Sequence, residues 1–204
     1  MKLLKLLTAG LIAVLLFSCD DNGGHEDLPK LEVDEELKDY FVHEEGTKFV
    51  MEDTAENLVD TLVITSSRKV GCCYVDGPDG PKPVSDYLSP YYRVNYEPKN
   101  GDSETFEDRI GTKLSPSKRD GKTYNRIRFD TGIRGSFFLK REGEWIAPED
   151  EVIRKESIKI LGETYYDVLI FETSLNRNIV FGKNIGPLRI KHKEDFLLKE
   201  KIEP

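Results

Sequence analysis

The sequence predicts a mainly β chain: a single antiparallel β-domain, built as a curved sheet, a sandwich or an incomplete barrel, behind a cleaved leader and a flexible tether. Three observations carry this. Apolar residues recur mostly with period two, the spacing that puts alternate side chains on one face of a strand. Glycine, proline, asparagine and aspartate punctuate those runs at short intervals. Helical spacing is confined to one short stretch. Roughly nine short strands with so few helical signals fit one antiparallel layer closing on itself better than an α/β alternation.

The elements follow in order. Glu35 to Phe41 makes a short helical turn, and Lys48 to Glu52 reads as the first strand. "LVDTLVIT", from Leu58 to Thr65, is the second, with apolar residues on both faces. "VDGPDGPKP", residues 75 to 83, is expected to lack regular structure, because its prolines lack the donor a ladder needs and its glycines favour turns. Tyr91 to Tyr96 resumes as a strand. "TYNRIRFD", residues 123 to 130, alternates so that Ile127 and Phe129 share a face. "GSFFLKR" follows across a glycine-bearing turn, and "REGEW" turns at Gly143 into Trp145. In "ESIKILGETYYDVLIFET", Ile158 and Ile160 share a face. A turn at Gly162-Glu163 then sends Tyr165 to Thr173 back as a hairpin. "NIVFGKNIGPLRIKH" forms another pair around Asn184 to Gly186, and "DFLLKEKI" closes the chain.

Ahead of the domain lies a different signal. Lys2 and Lys5 precede a run from Leu6 to Phe17 that is apolar except for Thr8 and Gly10. As a helix this run spans roughly 18 Å, against about 30 Å of bilayer hydrocarbon. It therefore reads as an export signal rather than a membrane span. Leu16-Phe17-Ser18-Cys19 resembles a bacterial lipobox, with an apolar residue at minus three and a small one at minus one. That resemblance implies cleavage before Cys19 and acylation of that residue, so residues 1–18 are a lipoprotein signal peptide. Each buried methylene contributes about 0.8 kcal/mol, so two or more acyl chains hold firmly without a transmembrane helix. Residues 19–35, acidic and glycine-bearing, then form the tether, and 36–204 the domain.

Composition narrows the function classes. The formal net charge is −8, and it becomes −10 when Lys2 and Lys5 leave with the signal peptide. An acidic chain argues against nucleic acid and against charge-driven binding to anionic headgroups. The other cysteines, Cys72 and Cys73, are neighbours. They read as two reduced thiols on opposite faces of a strand, or as a vicinal disulfide acting as a switch. Such a bond closes almost no loop and adds little stability. A metal site is disfavoured, with no ligand at suitable spacing from the pair.

Two stretches resemble a loose family of small exported lipoproteins of the Bacteroidota type. In "YFVHEEGTKFVMED", Tyr40, Phe41 and Gly46 match the family pattern, with Phe49 and Met51 standing where it has a tryptophan and a tyrosine. Across residues 157 to 191, Phe181, Gly182 and Gly186 fit, Asn184-Ile185 replaces a Gly-Val pair, and Pro187 follows. Asp20-Asp21 resembles the acidic signal that carries some of these proteins to the outer face of the outer membrane. The resemblance implies a β-rich, lipid-anchored outer-membrane protein, exposed on the cell surface where that signal operates.

Catalytic signatures are thin. His25, His43 and His192 are the histidines, and "HEE" at residues 43 to 45 has no second histidine at zinc spacing. Glu149, Asp150 and Glu151 cluster after Pro148 and read as a solvated loop, although paired carboxylates serve glycoside hydrolysis. Tyr87, Tyr91, Tyr92 and Tyr96 with Arg93 form either sheet packing or an aromatic face for a glycan or peptide. The leading expectation is a non-catalytic binding or structural module with an unknown protein or glycan partner and no cofactor. The alternatives are a half-open barrel carrying a lipid or other apolar ligand, and a surface hydrolase.

Overall fold

The computed structural model describes residues 28–71, 74–77, 80–83, 89–99, 110–130, 135–146, 152–172, 178–191 and 195–204. The expected signal peptide (residues 1–18), Cys19, His25, Cys72, Cys73, Tyr87, the 149–151 acids and His192 lie outside them. The chain is mainly β, a single antiparallel sheet curved into a half-barrel.

Helix α1 (Glu35–Phe41) opens the domain. Leu37, Tyr40 and Phe41, at i, i+3 and i+4, form its apolar stripe and are wholly buried. Asp34 caps it by accepting from the Glu36 N–H at 3.1 Å. Two turns are too few to hold a helix in water; each buried side chain contributes about 1.5–3 kcal/mol and holds it instead. Packing starts at Val33, also buried.

Strands β1 (Lys48–Asp53), β2 (Leu58–Val70), β3 (Tyr74–Gly77), β4 (Gly80–Pro83), β5 (Tyr91–Pro98), β6 (Ile110–Arg119) and β7 (Lys122–Phe129) come first. Then follow β8 (Gly135–Arg141), β9 (Glu144–Trp145), β10 (Val152–Ile160), β11 (Glu163–Glu172), β12 (Asn178–Gly182), β13 (Gly186–Lys191) and β14 (Asp195–Ile202). Twelve of them make one sheet, ordered β10-β11-β12-β13-β14-β1-β2-β5-β6-β7-β8-β9. The chain thus begins mid-sheet, meanders to the β9 edge, jumps to the β10 edge and meanders back to β1.

That jump dictates the curvature. Twelve flat strands at about 4.8 Å spacing would be roughly 53 Å wide. Residues 146–151, between Trp145 and Val152, reach at most about 24 Å when fully extended. The sheet must roll until its edges approach. Register breaks at Val50/Met51, Ile64/Ser66, Asn125/Arg126 and Val180/Phe181 supply bends. Rings from distant strands consequently meet inside: Phe129 and Phe137 each lie 5.2 Å from Phe171, and Phe41 lies 5.0 Å from Phe181. Helix α1 fills the concave side.

Several expectations need correction. The described residues between 75 and 83 are not irregular: β3 and β4 pair as a two-stranded ribbon, with Tyr74 opposite Pro83 and Asp76 opposite Pro81. Both strands of a ribbon are edges, and prolines two residues apart turn their missing donors to the same outer side. Strand β6 was not anticipated. Its Pro116 pairs with Asn125 on one side, but the ladder to β5 reaches only as far as Leu114, so the proline needs no donor there. The β10–β11 turn is Leu161-Gly162, not Gly162-Glu163; both residues have positive φ (47° and 92°), as a two-residue hairpin loop requires. Strand β2 runs on to Val70, beyond Thr65.

One glycine ties the segment after α1, β1 and the β12–β13 turn together. Gly186 has φ +101°, and a Cβ there would sit 2.8 Å from Phe49 Cε1 and 2.9 Å from His43 Nε2. Gly121, φ +75°, faces open space. Gly186→Ala is expected to cost about 2 kcal/mol and Gly121→Ala about 1 kcal/mol or less. Urea unfolding of both variants checks this, and equal losses would remove the steric argument.

Candidate functional site

Two polar constellations stand out. The first lies where the sheet edges approach, with Lys140 buried and its neighbours partly open to water. The β7–β8 register break sets Asn125 opposite Lys140 and Arg126 opposite Phe138, so Leu139 and Lys140 both turn inward. The Lys140 ammonium meets Glu36 at 2.6 Å and Asp34 at 3.1 Å, and stands 5.0 Å from the centre of the Trp145 ring. From the opposite edge, Arg154 reaches Asp167 at 2.8 Å and Glu36 at 3.2 Å, with its guanidinium 4.4 Å from the Trp145 ring. Lys183 stands 3.6 Å from Glu36 and 3.7 Å from Asp167.

The electrostatics are those of a clasp. Burial pushes the Glu36 carboxyl up, but the Lys140 hydrogen bond and the charges of Lys140, Arg154 and Lys183 leave it below the usual range. Asp167 is lowered chiefly by Arg154. The buried Tyr40 hydroxyl has no hydrogen-bond partner of normal geometry, and burial, then nearby Asp167, raises its pKa. A general acid at neutral pH needs a raised carboxyl pKa; these two carboxyls are shifted the other way.

The second constellation is on the outer face. Val94 and Tyr96 point into the core, so Arg93, the residue before Val94, points out. Directly opposite Arg93 stand Arg68 on β2 and Lys113 on β6, and opposite Lys113 stands Arg128 on β7. Residues directly opposite share a face. Four cations therefore run in a line across four strands. Arg126, one step along β7, adds a fifth beside the line. Asp130 is shared by Arg128 at 3.1 Å and Arg93 at 3.7 Å, and the Arg93 Nε is buried without a partner. Among the described residues no carboxylate lies within ion-pair distance of Arg68, Lys113 or Arg126. Aromatic rings flank the line: Lys113 Nζ sits 3.8 Å above the centre of Tyr91, and Tyr124 and Phe138 pair at 5.4 Å.

The structure divides the tyrosine cluster. Tyr96 is core, and Tyr92 points inward beneath Lys38, 4.9 Å from its ring centre. Tyr91 and Arg93 belong to the outer face. His43 is half-buried, its Nε2 3.4 Å from the Tyr40 carbonyl oxygen and its ring 5.8 Å from Phe49. Sequence inspection missed the row, because Arg68, Lys113 and Arg128 are far apart in the chain and only sheet register aligns them. It missed Lys140 because strict alternation puts that residue outside. Among the described residues, no group of three or more His, Cys, Asp or Glu is placed to hold a metal ion, and no helix is long and apolar enough to cross a membrane. Comparison of the chain with protein-family models, curated proteins and solved structures finds no match.

Proposed function

We propose that this chain is a lipid-anchored binding module of the outer membrane, non-catalytic, held by acyl chains on Cys19 and engaging its partner with the outer face of β2, β5, β6 and β7. The observation that carries the reading is the basic row. Neighbouring unit charges about 5 Å apart in water repel by roughly 0.8 kcal/mol, and like charges directly opposite destabilise a sheet. A chain of formal charge −8 that nonetheless concentrates cations there has a face suited to an anionic partner.

The carrier alternative is less well supported. Leu37, Tyr40, Phe41, Phe171 and Phe181 occupy the concave side that an apolar ligand would need. The hydrolase alternative needs carboxyls free to exchange protons, and those of the inner cluster are engaged with cations.

Anchoring is tested in a Gram-negative host by fractionation. The full-length chain is expected in the membrane fraction, labelled by radioactive palmitate. Cys19→Ala is expected to keep its leader, run larger and take no label. Unchanged size and membrane association in the variant would sink the lipidation claim.

A further inference from the structure

Resting on the outer-face reading above, we infer that the partner is a linear acidic polysaccharide, bearing carboxylate or sulfate groups, that lies across the strands along the Arg68–Arg93–Lys113–Arg128 row. The row is one residue wide and crosses the strands without a sideways step, because it is defined by direct cross-strand pairing. Its pitch is the strand spacing, about 4.8 Å, so four cations span roughly 14 Å. That pitch is close to the length of one pyranose along a linear glycan. Successive sugars of a linear chain turn relative to one another, so acids projecting to one side recur every second or third sugar and meet every second or third cation of the row.

The residue types fit. Three of the four cations are arginines, whose planar guanidinium groups take carboxylate or sulfate oxygens two at a time. Asp130, bridging Arg93 and Arg128, orients those two side chains without neutralising the row. Tyr91 on one side, and the Tyr124–Phe138 pair beyond Arg126, supply flat apolar surfaces against which sugar rings pack.

The same features weigh against the other polyanions. A membrane offers a broad plane of charge, whereas this basic strip is narrow, curves with the sheet and lies on a net acidic protein. A polynucleotide carries its phosphates at a longer pitch than one strand, and a strongly acidic chain repels it away from the row.

The test uses the full-length chain in mild detergent, with binding followed by calorimetry. The probes are polygalacturonate, neutral dextran, single-stranded polythymidylate and phosphatidylglycerol vesicles. Polygalacturonate is expected to bind, dextran not. Binding should fall roughly tenfold for Arg93→Gln and for Arg128→Gln, and below detection for the Arg93→Gln/Lys113→Gln/Arg128→Gln triple variant. Lys155→Gln/Lys159→Gln, which removes two exposed cations from β10, should bind like the wild type. The triple variant should unfold at the same temperature as the wild type or higher, since it relieves repulsion, and this separates lost binding from lost fold.

Polygalacturonate binding that survives in the triple variant overturns the site. Stronger binding of polythymidylate or vesicles than of polygalacturonate, abolished in the triple variant, overturns the polysaccharide and leaves the outer-face reading standing. No binding of any charged probe overturns both.

Discussion

Lys140→Ala is expected to destabilise the fold by about 2–4 kcal/mol. Lys140 is only 4% exposed, and its ammonium serves two carboxylates, Asp34 at 3.1 Å and Glu36 at 2.6 Å. Removing one partner of a buried pair strands the other charge, which typically costs about 3–5 kcal/mol. Here both carboxylates keep some water, and Glu36 retains Arg154 and Lys183, so the lower part of that range applies. Lys140→Met restores the apolar stem against Trp145 but not the charge, so it should recover only a minor share. Lys140→Met combined with Glu36→Gln should be more stable than the two single losses added together, because one of the two stranded charges is gone. Urea unfolding of the four proteins closes the cycle. A Lys140→Met variant as stable as the wild type would show that the clasp contributes nothing.

The clasp also explains how a half-barrel with short edge contacts stays rolled. Lys140 arrives from β8, Arg154 from β10 and Lys183 from the end of β12, and all three converge on Glu36 of α1. The helix is therefore a rivet between edges that share no ladder in the strand order. Its apolar stripe and its charged first turn do separate jobs, one filling the concave core and the other joining the rims. Amide exchange in β9 and β10 should quicken in Lys140→Ala before exchange in central β1 and β2 does.

The sequence was most legible where local chemistry and final position agree. Helix α1 runs from Glu35 to Phe41 as read from its spacing, since Leu37, Tyr40 and Phe41 fall on one stripe and nothing overrides it. Ile127 and Phe129 share a buried face, and the "REGEW" turn falls at Gly143, φ +85°. Legibility failed where pairing partners decide. Pro116 is tolerated in β6 only because β5 stops short of it. The β3–β4 ribbon keeps its prolines only because, among the described residues, no third strand joins it. Lys140 faces inward only because of a bulge, and the basic row exists only through three registers that no single segment encodes. The polar features on which the proposed function rests are thus the ones least visible before the sheet is assembled.

Lowering the pH from 7 to 4.5 is expected to remove about 2–3 kcal/mol of stability through one residue, His43. Burial pushes its pKa down to about 4, and Lys201 reinforces the shift; the Tyr40 carbonyl and Glu203 pull the other way without cancelling it. Unfolded, the same imidazole titrates near 6.5. As the pH falls, the unfolded chain therefore takes up the proton first. Stability is full above about 6.5 and drains away as the pH approaches the folded value, at roughly 1.4 kcal/mol per unit of difference. The carboxylates of Glu36, Asp53, Asp167 and Glu203 are held below their ordinary values of 3.8–4.5, so their contributions are present above that range and lost as the pH falls further. The window between 6.5 and 4.5 belongs to the histidine. His43→Gln and His43→Phe, although each disturbs the packing against Phe49 and Gly186 in its own way, should both flatten the pH dependence there while leaving the steeper loss below pH 4. Urea midpoints at half-unit intervals would decide it: a variant that keeps the wild-type slope between pH 6.5 and 4.5 places the acid sensitivity in another group.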